Sequence, residues 1–135
     1  MIVYVESNFI LELAYAQEEY DACDGILALS EQRKLALAVP AFCLGEPYES
    51  WVRRSKDRQV LHDRFDREIK ELSRSLPYST ISRESQEVSR ILIQSGNEEK
   101  TRLDGAIVRM IDIASIIPLE RETMRSAIAL QAERS

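Results

Sequence analysis

Apolar positions along this chain switch repeatedly between two spacings. Ile2, Val3, Tyr4 and Val5 form a continuous β-branched and aromatic run that predicts a short buried strand. Phe9, Ile10, Leu13 and Ala14 then recur at helical intervals, with Asn8 standing where the N-cap belongs. Tyr20, Cys23, Ile26, Leu27 and Leu29 predict a second amphipathic helix. In "LALAVP", five apolar residues closed by Pro40 read as a second buried strand.

The charged segment 44–76 keeps Tyr48, Trp51, Val52, Leu61, Phe65, Ile69 and Leu72 at mostly helical spacing. "RSLPYSTISRES" interrupts it, and Ser82 is placed to cap the next helix, whose inner face is Val88, Ile91 and Leu92. "SGNEEK" predicts another break. Leu103, Ile107, Met110 and Ile111 lead a further helix into "ASIIPL", read as a third strand over 116–119. A final helix over 120–135 is expected to turn Met124, Ala127 and Ile128 inward. Strands separated by helices give α/β layering, with parallel strands joined by right-handed crossovers. No repeat or linker divides the 135 residues, so one domain is expected.

Composition narrows the function. A hydrophobic share of 44% and a charged share of 30% are those of an ordinary globular chain. No apolar run is long enough for a membrane span, and "MIVYVESN" lacks the basic start of a secretory signal, so a cytoplasmic location is expected. The net charge of -5 argues against a protein that coats nucleic acid non-specifically, which needs a basic face. It leaves room for an enzyme that reaches nucleic acid through bridging metal ions. Cys23 and Cys43 lack metal-ligand spacing and read as buried thiols. The single histidine, His62, lies in a charged helical segment away from any serine or cysteine motif, which disfavours a nucleophilic triad.

Two carboxylates stand out. Glu6 sits at the exit of the first strand. In "AFCLGEPYES", Glu46 follows a glycine that reads as a tight turn, with Pro47 suited to a first helical turn. If the two strands are parallel neighbours, both project from the edge where α/β sheets bind ligands. Carboxylates that converge repel unless a cation lies between them, and hard oxygen donors suit magnesium or manganese. The plainer alternative is that each glutamate only complements a helix dipole. Asn8 can cap its helix and orient Glu6. The stretch "RRSKDR" offers Arg53, Arg54, Lys56 and Arg58 to a phosphate backbone, against the alternative of a solvated face paired with Asp57 and Asp63.

At these residues the chain resembles the PIN-domain nucleases. "VESN" matches the acidic residue that ends the family's first strand and the Ser, Thr or Asn two positions on. "LGEP" matches the glutamate opening the helix after the second strand, and "IIPL" with the following helix resembles the family's third strand and its successor. The resemblance implies a helix-rich, three-layer α/β/α fold around a short central parallel sheet. It also implies hydrolysis of RNA dependent on Mg2+ or Mn2+ held by Glu6 and Glu46, with Asn8 in support. The function would be that of a toxin with an antitoxin-like protein partner, or of an RNA-processing enzyme.

Two departures shape the expectation. Glu6 stands where the family usually has aspartate, and the family's later acidic motifs have no counterpart before "ALQAERS" ends the sequence. Asp104 in "LDGAIV" imitates one of those motifs but precedes the third strand, so it reads as a solvated helix residue. The domain 1–135 is therefore expected to be shortened at its C-terminal end, to cleave RNA inefficiently even with manganese, and to pair with a second copy through an open strand edge. The alternative is a catalytically incomplete module that binds RNA or a protein without cleavage. A plain helical interaction domain is disfavoured by the β-branched apolar runs.

Overall fold

The run closed by Pro40 becomes β2 (Ala36–Pro40), the central strand of a three-stranded parallel sheet in a computed structural model that describes residues 1–134. The side chains of Ser82 and Arg134 lie outside the description, and with them the capping role expected of Ser82. β1 (Ile2–Tyr4) pairs with β2 in the register Val3 to Leu37, and β3 (Ser115–Ile117) pairs on the other side with Val39 opposite Ile116. The Val5 N–H still donates to the Ala38 carbonyl at 2.9 Å, so pairing runs one residue past β1. β3 ends earlier than the predicted 116–119 because Pro118 has no N–H to donate.

Alternation along the strands decides which face is covered. Val3, Val5, Leu37 and Val39 point towards the helices and are buried or half-buried, whereas Ile2 and Tyr4 remain 61% and 71% exposed. The covering layer is α1 (Ser7–Tyr15), α2 (Tyr20–Glu31), α3 (Phe42–Ser73) and α4 (Ser82–Ile113). Ile10, Leu13, Leu27, Leu103 and Met110 meet Leu37 and Val39 in one core. Leu29, expected on the inner face of its helix, is 39% exposed.

Among the described residues the arrangement is α/β, helix-rich around a small three-stranded parallel sheet. The last helix, α5 (Arg121–Arg134), leaves Met124 and Ile128, expected to face inward, exposed, as is Ala127. Its apolar residues do not gather on one stripe, so no single face is driven onto the sheet.

Both long helices have 32 residues, about 48 Å each at 1.5 Å per residue, and a 3-10 turn at Leu76–Tyr78 lies between them. The predicted break at "SGNEEK" does not occur. Gly96 is used instead for close helix contact: a Cβ there would lie 3.4 Å from Ser55 Oγ, and the Gly96 carbonyl accepts a 2.8 Å bond from Trp51 Nε1. Trp51, Ser55, Arg58, His62, Phe65 and Ile69 are spaced by fours and threes, which is the periodicity of a helix seam.

Three local readings of the helix starts are corrected. α1 begins at Ser7 with Glu6 at the N-cap, because the Phe9 N–H turns back to the Glu6 carbonyl at 3.1 Å; Asn8 is an exposed first-turn residue and not the cap. α3 begins at Phe42, so Gly45 is helical and forms no tight turn. Pro47 therefore falls in the second turn, where its missing N–H leaves the Cys43 carbonyl without the usual donor four residues on. Cys23 and Cys43 are free and buried, as the sequence implied. No described helix is long and apolar enough to cross a membrane.

Candidate functional site

Because β1 and β2 are adjacent and parallel, the segments that leave them emerge at one edge of the sheet. Glu6 lies on the first segment and Glu46 on the second, in the second turn of α3. The contact between the segments is direct: Ser7 Oγ donates to Glu46 Oε2 at 2.6 Å. Glu6, Asn8 and Glu46 are all exposed, and the Glu6 carboxylate makes no capping bond to its own helix. The structure thus brings the residue after Glu6 onto Glu46, a neighbour relation that the sequence spacing of Ser7 does not reveal.

One half-turn beyond Glu46, the Tyr48 hydroxyl donates to Asp104 Oδ1 at 2.7 Å, while Lys100 Nζ reaches Asp104 Oδ2 at 2.9 Å. These donors hold the Asp104 carboxyl below its ordinary range, Lys100 first and Tyr48 second. Burial, with the carboxylate alongside, pushes the Tyr48 phenol up to about 12. Asp104 is therefore half-buried and engaged at both oxygens, more constrained than the solvated residue expected.

The donors at the edge are hard oxygens: two carboxylates, the Ser7 hydroxyl and the Asn8 amide. Among the described residues no group of three or more His, Cys, Asp or Glu is arranged to hold a metal ion. By donor type, oxygens of this kind suit magnesium or manganese, which take one or two carboxylates and keep several waters. The same oxygens do not fit zinc, which selects imidazole and thiolate in a closed tetrahedron.

The basic stretch is largely turned to structural use. Arg58 Nη1 contacts Glu99 Oε1 at 2.5 Å, Arg54 Nε lies 3.5 Å from Glu99 Oε2, and the Arg54 guanidinium sits 4.1 Å over the Tyr15 ring. The partner is a buried glutamate on α4, 4% exposed, and not the expected Asp57 or Asp63. Asp63 accepts instead from Gln59 and faces His62. Of the four cations Arg53 and Lys56 are exposed, and Arg54 and Arg58 are half-buried.

Sequence reasoning also missed a meeting of His62, Asp66 and Ser89. Ser89 Oγ donates to Asp66 Oδ1 at 2.9 Å, and His62 Nε2 lies 3.4 Å from Asp66 Oδ2. The serine donates to the carboxylate and not to the imidazole, so the histidine is not placed as its base. The i,i+4 spacing of His62 and Asp66 was a legible signal; the approach of Ser89 from another helix was not. No family model, curated protein or solved structure matches the chain.

Proposed function

We propose that the sheet edge carrying Glu6 and Glu46 is a divalent-cation-dependent site for hydrolysis of RNA phosphodiesters, of the PIN-like type that the sequence resembles. The observation that supports it is the 2.6 Å bond from Ser7 to Glu46, which ties the first acidic segment to the second at the edge where α/β sheets take ligands. Glu6 and Glu46 would hold magnesium or manganese. When bound, such an ion polarises a phosphoryl oxygen and makes water acidic enough to act as a nucleophile near neutral pH. Ser7 restrains Glu46 by donating to Oε2, and Glu46 would be one of the two residues to hold the ion. The N-terminus of α1, at Ser7 and Asn8, presents backbone N–H groups that favour an anion such as phosphate. Arg53 and Lys56 are the exposed cations available to the RNA backbone.

The second reading is a module that binds RNA or an antitoxin-like protein without cleaving. What favours it is the count of carboxylates, since two-metal hydrolysis uses several and this edge offers two. Incubation with single-stranded RNA and manganese separates the two. Slow cleavage that EDTA stops and that Glu46→Gln abolishes supports the hydrolase. RNA that is bound but left intact supports the second reading, and cleavage indifferent to EDTA removes both.

A further inference from the structure

We infer that the outer half of the α3–α4 hairpin carries a docking flank for a basic amphipathic helix, independent of the carboxyl edge. The hairpin has two flanks on either side of its seam. One is a groove of about 670 Å³, lined by polar residues such as His62, Asp66, Ser89 and Arg90, with Ile69 and Ile93 adding apolar surface. The residues one step around each helix fall on the opposite flank, and there the surface is apolar. Leu61, Phe65 and Leu72 recur at i, i+4 and i+11 on α3, and Val88 and Ile91 at i and i+3 on α4. Leu61 is 52% exposed, Leu72 43%, Val88 45% and Ile91 51%, with Phe65 half-buried between the helices. Exposed apolar side chains that share one flank are the kind of surface that marks an interaction site when they are contiguous.

The rim of the same flank chooses the occupant. Asp57 and Glu68 extend the α3 stripe and Glu84 and Glu98 bracket the α4 stripe; of the cations that helical spacing places beside them, Arg54 is engaged with Glu99 and Tyr15 and Arg102 with the Ala14 carbonyl, and Arg53 and Arg64 are exposed. A second copy docked on this flank would set acid against acid, and a phosphate backbone would be repelled. A helix with apolar anchors at i, i+4 and i+7 and lysine or arginine beside them satisfies both the patch and its rim. Packed between α3 and α4, it would complete a three-helix arrangement.

The test uses the whole chain and a fluorescent amphipathic peptide of leucine and lysine at helical spacing, followed by anisotropy, with a leucine–glutamate peptide of the same pattern beside it. The lysine peptide is expected to bind saturably and the glutamate peptide to fail. Val88→Ser with Ile91→Ser, and separately Glu84→Gln with Glu98→Gln, are expected to weaken binding by about tenfold or more. All four positions are exposed, and circular dichroism verifies that both variants fold. Glu18→Gln with Glu122→Gln removes the same charge elsewhere and is expected to leave binding within about twofold. No binding, equal binding of both peptides, or an equal loss in the control variant overturns the proposal. So does a dimer by light scattering that Val88→Ser with Ile91→Ser dissolves, which would assign the flank to a second copy.

Discussion

Ser7 donates its hydroxyl to Oε2 of Glu46 at 2.6 Å, across a sequence separation of 39. The bond joins the first residue of α1 to the second turn of α3, and it forms only because β1 and β2 lie side by side and parallel. Its consequence is positional. A long, exposed glutamate side chain loses rotamer freedom before any ligand arrives, so one carboxylate of the edge is preorganised.

The Tyr48 hydroxyl reports the packing of α3 against α4 next to that edge. Burial and Asp104 push its pKa up to about 12, so the folded state favours the protonated phenol. A raised value means that the stabilisation is fully present below the ordinary tyrosine range near 10 and is lost as pH rises through about 12. Tyrosinate absorbance followed with pH is expected to show a late step, near 12, from Tyr48. Tyr48→Phe should remove that late step and cost about 1 kcal/mol in denaturant unfolding. A late step that survives the substitution would contradict the assignment.

Glu99 pins the middle of the hairpin. It is buried between Arg54 and Arg58, and its Oε2 has Arg54 at 3.5 Å without a hydrogen bond. Removing the carboxylate leaves two guanidinium groups facing a buried gap. Breaking a fully buried ion cluster costs about 3–5 kcal/mol; here the arginines keep part of their surface in water, and about 2–3 kcal/mol is expected for Glu99→Ala. Urea unfolding measures it, and a loss below about 0.5 kcal/mol, the size of a surface substitution, would mean that the cluster is not structural.

Gly96 allows two opposed substitutions. A methyl group there meets only the rotatable Ser55 Oγ at 3.4 Å, so Gly96→Ala should gain up to about 1 kcal/mol from helix propensity. Gly96→Leu must instead push α3 away and is expected to lose about 1–3 kcal/mol. Thermal unfolding of the pair distinguishes a true close approach from an incidental glycine, for which both changes would stabilise.

Short apolar runs revealed all three strands, although only β2 has buried residues. Helical spacing likewise showed where α1 to α4 would lie. What escaped depends on contacts between distant residues. "SGNEEK" reads as a break until Trp51 and Ser55 are seen against Gly96, and "RRSKDR" reads as a phosphate-binding face until Glu99 is seen between its arginines. At the candidate site, Glu6 and Glu46 were legible as strand-exit acids, but Asn8 was misread as the cap. The turn from Phe9 to Glu6 starts the helix two residues earlier than composition suggests. Met124 and Ile128 were assigned inward from hydrophobicity alone, which carries no information about whether a facing surface exists.

The claim that Glu6 and Glu46 share one divalent ion is tested most directly by manganese titration of the chain, followed by electron paramagnetic resonance. The account predicts saturable binding of manganese that magnesium displaces, weakened by about tenfold or more in Glu6→Gln and to a similar extent in Glu46→Gln. Binding that either substitution leaves unchanged would contradict it.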